Sequence, residues 1–411
     1  MFDEKKLLNS RIIISISIII TISLFVCLLE IKIIYSENNQ TTIEKIIGVN
    51  MKGMYTSLNY ERFSSISFPS NYYDESFKLI KNIGLNHIRY VLYWEAYENN
   101  PSLFLQELKS VADMADKWGL KIIYDNHQYH TSSWLDEKRG TGFPSFLFDK
   151  NLYPFDSGVT TSSNSTKSWW SSWWDRNITY KDSNTKLDGW SLQAKFLKTI
   201  VKLLDYHNST IGYEILNEPQ IFSQDQWSKI KKYYQYMTDE LRTQTNKTIV
   251  IDMTIPITFK DSPINLTSEN MAKIIPKDQN SIFKISLYGI PKDKNYQEKK
   301  LELLSNVSKI AKIPLYVGEW NHVNREKKMT ISNTTVVDDT SKINAITSDL
   351  TQQQSDFFVN KFNLLQVYGW AFWNWNYINT PPQNFNLINI TKNGDILPTK
   401  YFYILENSIK K

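Results

Sequence analysis

Residues 282–320 read IFKISLYGIPKDKNYQEKKLELLSNVSKIAKIPLYVGEW. A short apolar run, IFKISLY (282–288), is followed by a stretch of helical period over 294–312. A second apolar run, PLYVGEW (314–320), then brings in a carboxylate, Glu319, next to its last residue. Strand, helix and strand in that order make a crossover unit whose two strands pair in parallel. The same unit recurs along most of the chain. Further short runs are IIGVN (46–50), HIRYVLY (87–93), LKIIYDN (120–126), IGYEIL (211–216), TIVIDM (248–253) and GWAFWNW (369–375). Helical periods lie between them at 73–84, 103–119, 191–207, 225–243 and 351–367. Gly84 and Gly119 stand where a helix stops and the next strand begins. Two of the strand runs show no polar alternation, which suits strands covered on both faces. Eight strands alternating with helices predict an α/β fold, a (β/α)8 TIM barrel. An open doubly wound sheet is the weaker rival, because no G-x-G-x-x-G follows any strand.

Two connections are too long for plain barrel loops, one over 127–187 and one over 321–349. Both follow strands, so both are expected at the C-terminal face, where barrels build their sites. The first contains Trp134, Trp169, Trp170, Trp173 and Trp174. Those indoles belong to an unusual total: thirteen Trp, with Tyr and Phe bringing aromatic residues to 14%. Such an excess suits flat apolar partners such as sugar rings, or equally a large loop that needs its own core. Net charge is +5 without a dense basic run, so no nucleic-acid partner is expected.

The N-terminus differs from the rest. Lys5, Lys6 and Arg11 precede an uncharged apolar stretch from Ile12 to Leu29. Its eighteen residues fit a spanning helix, of about 17–25 residues, slightly better than a cleaved signal, whose apolar region is about 7–15. The expectation is a signal-anchor or signal peptide over 1–36 and one catalytic domain over 37–411. The product would be extracytoplasmic, membrane-anchored through that segment or secreted, and a monomer. The single cysteine, Cys27, lies inside the apolar stretch, so the exported part has no disulfide and must rely on its core.

Two glutamates carry the chemistry. Glu218 follows the fourth strand run in YEILNEP, and Glu319 lies on the seventh in PLYVGEW. Three strand–helix units separate them, so they face each other across the barrel mouth. Cleavage of a glycosidic bond needs one acid to protonate the leaving oxygen and one carboxylate at the anomeric carbon. A carboxyl among apolar groups keeps its proton near neutrality, whereas one beside cations and donors stays ionised. The residues therefore predict glycoside cleavage by this pair, one glutamate as acid and the other attacking or activating water, with no cofactor or metal required.

From about Gly48 to Trp375 the sequence resembles glycoside hydrolase family 5, the cellulase family, within the clan of (β/α)8 retaining glycosidases. The resemblance rests on LNEP, PLYVGEW, HIRYVLYWEAYE, YDNHQ, SLY and GWAFWNW occurring in that order. It implies Glu218 as acid/base, Asn217 bonding the sugar 2-hydroxyl, Glu319 as nucleophile and Arg89 supporting it. It also implies His127 in the glycone subsite, Tyr288 donating to the nucleophile and Trp373 as the stacking platform. A polysaccharide or oligosaccharide with β-linkages is the implied substrate. One position departs: Ser286 stands where the family usually has His before x-Tyr.

Weaker candidates complete the reading. His322 lies close enough in sequence to reach the site from a loop, and His87 alternates with Arg89 on one strand face. Asp125, His127 and His130 cluster without further ligands at zinc-site spacing. His207, beside a helix end, reads as structural, and no G-x-S-x-G suggests a serine esterase. Two alternatives stay open: a non-catalytic carbohydrate-binding protein on a degenerate barrel, and a transglycosylase using the same glutamates.

Overall fold

The computed structural model describes residues 45–57, 68–182, 185–252, 267–288, 295–322, 340–376, 386–391 and 393–411. Eight parallel strands close into a barrel: β1 (Ile46–Lys52), β2 (His87–Leu92), β3 (Lys121–Asn126), β4 (Thr210–Glu214), β5 (Thr248–Asp252), β6 (Ser281–Leu287), β7 (Leu315–Trp320) and β8 (Gly369–Phe372). Each strand pairs with its sequence neighbours, and β1 closes the ring against β8 with Ile46 opposite Gly369. The eight predicted runs and the eight strands coincide to within a few residues at their ends. Near-total burial of each strand explains the agreement, since both faces had to be apolar or internally paired.

A helix follows each strand: α1 (Tyr72–Asn82), α2 (Pro101–Trp118), α3 (Gly189–Leu204), α4 (Gln226–Arg242), α5 (Ser268–Ala272), α6 (Asn295–Ala311), α7 (Thr340–Leu364) and α8 (Lys400–Ile409). On α2, Phe104, Leu108, Val111, Ala112 and Ala115 form the buried stripe. Burying each large member of such a stripe stabilises the fold by about 1.5–3 kcal/mol. The α2 helix begins two residues before the apolar period. Asn100 caps it by accepting from the Leu103 N–H, and Pro101 occupies the first turn, where a missing N–H costs nothing. It ends at Gly119, whose φ of 62° is left-handed, as the sequence reading expects.

Several features escaped that reading, among them the short α5 and a helix at Trp94–Asn99. The loop after β3 is a small structure of its own, with a helix at Asn164–Trp174 and a hairpin pairing Thr179–Asp182 with Thr185–Asp188. The connection expected over 321–349 is shorter, because α7 already starts at Thr340. The closing helix α8 was absent from the expectation; it packs on the barrel through Phe402 and Leu405. The apolar stretch 12–29 lies outside the described residues. Among the described residues no helix is long and apolar enough to cross a membrane.

Candidate active site

The carboxyl ends of β2, β3, β4, β6, β7 and β8 converge on one polar cluster. Arg89 points inward from β2 and is completely buried. Its Nη1 donates to Glu319 Oε1 at 2.9 Å and to Asn50 Oδ1 at 2.8 Å. Its Nε and Nη2 donate to the two oxygens of Glu214, each at 2.7 Å, and Nη2 also lies 2.9 Å from Asp125 Oδ2. The planar fork suits this role, because only Arg offers five donors in fixed geometry. From β7, Glu319 accepts from Tyr288 on its other oxygen, Oε2, at 2.5 Å.

A third donor reaches Glu319 from β6. The Lys284 ammonium lies 3.2 Å from Glu319 Oε1, 2.6 Å from Asn217 Oδ1 and 3.0 Å from Asp252 Oδ2. Its methylene stem crosses directly over Gly318. A Cβ at that position would sit 2.5 Å from Lys284 Cγ, which is why the residue before Glu319 is glycine. Burial alone pushes the Glu319 carboxyl upward, but the Lys284 and Arg89 charges and the Tyr288 hydroxyl outweigh it. The net position is well below the usual carboxylate range. Glu319 is a held anion.

Glu218 has the opposite environment. Burial first, and then the negative charge of Glu319, raise its carboxyl above the ordinary glutamate value. Its backbone is left-handed, with φ of 41°, a conformation that costs about 1–3 kcal/mol and persists only when neighbours impose it. The neighbours are visible. The Glu218 N–H donates to Asp252 Oδ2, and Gln128 Nε2 donates to the Asn217 and Glu218 carbonyls at 3.0 and 2.8 Å. Ser286 Oγ is buried next to this carboxyl without a well-formed hydrogen bond to any described group.

His127 and Trp373 close the cluster. Nδ1 of His127 donates to Asp125 Oδ2 at 2.8 Å, and Nε2 faces Asn217 Nδ2 at 3.3 Å. Burial pushes the imidazole down to about 3, so it is neutral and Nε2 is an acceptor. Its ring stacks on Trp373 with centroids 5.4 Å apart and planes 17° apart. Lys52 from β1 lies 5.4 Å from the centre of the same indole and 5.8 Å from that of Tyr93. Asp125, deep beneath them, is pushed up to about 7, mainly by burial.

All seven residues singled out in the sequence — Arg89, His127, Asn217, Glu218, Tyr288, Glu319 and Trp373 — lie at this mouth. His322, expected within reach of the site, and the tryptophans Trp94, Trp320 and Trp375 of the same motifs lie away from it. Trp320 and Trp375 turn outward, Trp320 against Phe358 and Phe362 of α7 and Trp375 against Phe402 of α8. Trp94 packs on Phe143 and Phe196. His322 shares the outward side, wedged between Phe372 and Tyr401. Strand alternation explains this, since residues next to or three beyond an inward Glu319 face the helices. The four loop indoles are buried among Phe143, Phe148 and Tyr233 and form the core of the third loop, so they line no subsite. They still serve the mouth: Trp170 Nε1 bonds Thr131 at 2.9 Å and Trp174 Nε1 bonds the Gln220 carbonyl at 2.7 Å.

His87 sits at the other end of the barrel, bonded to the Lys121 carbonyl and the Tyr316 hydroxyl, a satisfied core histidine. His207 is bonded to Asp116. The zinc reading loses its convergence, because His127 turns to Asp125 and His130 to Asp136. Among the described residues no group of three or more His, Cys, Asp or Glu is arranged to hold a metal ion. Sequence reasoning missed Asn50, Lys52, Glu214, Asp252 and Lys284. One signal was present: each interrupts or ends an apolar strand run with a polar side chain.

Residues 38–379 match the family model described as cellulase (glycosyl hydrolase family 5). An endogalactoceramidase structure superposes with a TM-score of 0.65 at 15% identity, covering 89% of this chain and 81% of that one. Endo-glycoceramidase II from Rhodococcus sp. gives 0.58 at 13% identity, over 89% and 78% of the two chains. A broad-specificity GH5-4 endoglucanase from Clostridium longisporum gives 0.56 at 14% identity, over 90% and 97%. At these identities the structural likeness speaks for the fold alone. No curated protein matches the chain.

Proposed function

This chain belongs to glycosyl hydrolase family 5 and is a glycoside hydrolase; from that premise we propose that it cleaves β-glycosidic bonds of an oligosaccharide or polysaccharide by double displacement. The observation that carries the mechanism is the opposite environments of two glutamates at one mouth, one surrounded by cations and a phenol and the other buried beside an anion. Glu319, held as an anion by Lys284, Arg89 and Tyr288, attacks the anomeric carbon. Glu218, whose carboxyl is raised by burial and by Glu319, protonates the leaving oxygen. A glycosyl–enzyme ester forms and the aglycone departs. Glu218, now ionised, takes a proton from water as it attacks the same carbon, and Glu319 leaves as carboxylate with the anomeric configuration retained. In this scheme Trp373 is the platform for the sugar ring, and Asn217 and His127 bond its hydroxyls.

The purely binding alternative has less support. A binder gains nothing from a strained backbone at Glu218 or from two cations and a phenol converging on Glu319. We further propose export, with residues 1–36 as signal or anchor and the barrel acting outside the membrane as a monomer. The support is the apolar stretch itself, led by Lys5, Lys6 and Arg11.

The test is a substrate panel: an aryl β-glycoside, β-glucan, mannan, xylan and a glycosylceramide, the last because two structural neighbours are named for acting on ceramide glycosides. Wild type should hydrolyse at least one, and Glu218→Gln and Glu319→Gln should each lose activity by orders of magnitude while staying folded. Full activity in Glu319→Gln would end the proposal.

A further inference from the structure

The barrel interior beneath the glutamates holds more charge than cleavage calls for. Two cations, Arg89 and Lys284, face four buried carboxyl groups, Asp125 on β3, Glu214 on β4, Asp252 on β5 and Glu319 on β7, and burial pushes all but Glu319 upward. Burying charge is costly unless geometry compensates, so each member needs a reason to be there. Arg89 has one in Glu319 and Glu214. In the scheme above Lys284 only helps to keep Glu319 ionised, and Asp252 has no role.

Their contacts fall into a pattern. Lys284 Nζ bonds Glu319 Oε1 at 3.2 Å and Asp252 Oδ2 at 3.0 Å. The same Asp252 oxygen accepts the backbone N–H of Glu218. Lys284 also bonds Asn217 Oδ1 at 2.6 Å, on the residue before Glu218. One ammonium and one carboxylate therefore join the side chain of one glutamate to the backbone of the other. Asp252 is fixed in turn, because its carbonyl accepts the Tyr234 hydroxyl at 2.8 Å.

We infer that Lys284 and Asp252 are positioning residues that form a two-link bridge between the glutamates, Lys284 fixing the Glu319 carboxylate and Asp252 holding the left-handed turn that aims Glu218. The bridge deepens the mechanism above and rests on it for the roles of the two glutamates. Asp252, Glu319 and Glu214 keep Lys284 charged: burial and the Arg89 charge push its ammonium down, and these carboxylates more than restore it. Among the described residues, the other titratable groups facing the bridge are Arg89, Asp125, His127, Lys52, Tyr234, Tyr288, Lys300, Tyr316 and Glu218 itself.

Removing Lys284 leaves Glu319 with Arg89 and Tyr288 only, so Glu319 should take up its proton at higher pH. The variants are Lys284→Gln, which keeps a donor but not the charge, and Lys284→Met, which keeps the stem over Gly318. The first readout is the acidic limb of kcat/KM on an aryl β-glycoside. It should move up by at least one pH unit, with a fall of about 100-fold or more at the optimum, comparable to removing a charge-stabilising donor. The second readout needs no turnover: melting temperature against pH for wild type, Lys284→Gln, Glu319→Gln and the double variant. Glu319 sits below its unfolded value, so it stabilises above about pH 4 and that contribution fades as pH falls. The fading should begin at higher pH without Lys284, and the two substitutions should be strongly non-additive.

Asp252→Ala, which removes the acceptor that an Asn oxygen would keep, is read by leaving group. Loss of its hold on Glu218 should slow substrates with poor leaving groups at least tenfold more than activated ones, which need little acid assistance. A structural defect alone would slow both alike. An unmoved acidic limb with additive melting shifts overturns the bridge while leaving the hydrolase reading intact. A wild type that cleaves no substrate, yet shows the melting coupling, fails the hydrolase reading and keeps the bridge.

Discussion

Arg89 Nη1 and Glu319 Oε1 lie 2.9 Å apart in the barrel interior, the guanidinium fully buried and the carboxylate nearly so. Residues 230 positions apart meet because β2 and β7 both direct alternate side chains into the same closed ring. The pair links fold and chemistry, since a cation that helps to hold Glu319 as an anion also pairs with Glu214 and Asp125.

Replacing Arg89 should therefore damage both. Arg89→Met strips three buried carboxyl groups of the partner they share, and breaking buried pairs in this way costs about 3–5 kcal/mol. Chemical denaturation should show that loss, and kcat/KM of the folded fraction should fall by more than 100-fold. A stable, active Arg89→Met would show that the buried charges are paired elsewhere.

Tyr288→Phe isolates one hydrogen bond. The phenol stays neutral, because burial and the Glu319 charge raise it, so it is a permanent donor to Glu319 Oε2. A bond to a charged group contributes about 1.5–3 kcal/mol, so kcat/KM should fall by about 10- to 100-fold. The melting temperature should change little by comparison.

The pH–rate profile should be a bell with unequal causes. Glu319 must be ionised, and its carboxyl is lowered, so the acidic limb should lie below the ordinary glutamate value of about 4.3. Glu218 must be protonated, and its carboxyl is raised, so the basic limb should lie above that value. Activity is lost upward as Glu218 ionises and downward as Glu319 protonates. Glu218→Gln, tested with an activated leaving group, should lose the basic limb and keep the acidic one.

Two tryptophans should behave in opposite ways. Trp373→Ala removes the ring stacked on His127 at the mouth and should raise KM at least tenfold with a small stability change. Trp170→Ala empties a buried site among Phe143, Trp169 and Trp174 and should cost about 3–5 kcal/mol. Its KM, measured on folded protein, should stay near that of wild type. Denaturation curves and steady-state kinetics on both variants separate the two roles.

The barrel was legible because its strands had to be apolar wherever they lie between interior and helices, as IFKISL and LYVGEW do. Glu218 and Glu319 were legible as carboxylates standing at the ends of such runs. Lys284 was not, although it stands in one. A lysine inside an apolar strand has no readable partner until β5 and β7 bring Asp252 and Glu319 to it. Aromatic composition pointed toward sugar but could not separate platforms from packing. Trp373 is at the mouth, whereas Trp169, Trp170, Trp173 and Trp174 build the core of one long loop. Indoles satisfy both needs with the same chemistry, so only tertiary placement distinguishes them. Ser286 marks the place where the family pattern carried over least, with its hydroxyl left beside Glu218.

The division of labour between the two glutamates is tested most directly by trapping the covalent intermediate. Wild type incubated with a 2-deoxy-2-fluoro β-glycoside bearing an activated leaving group should gain the mass of one fluorosugar. Peptide mapping should place it on Glu319, and Glu319→Gln should gain nothing. A fluorosugar on Glu218, or turnover of the parent glycoside with an inverted product and no adduct, would contradict the assignment.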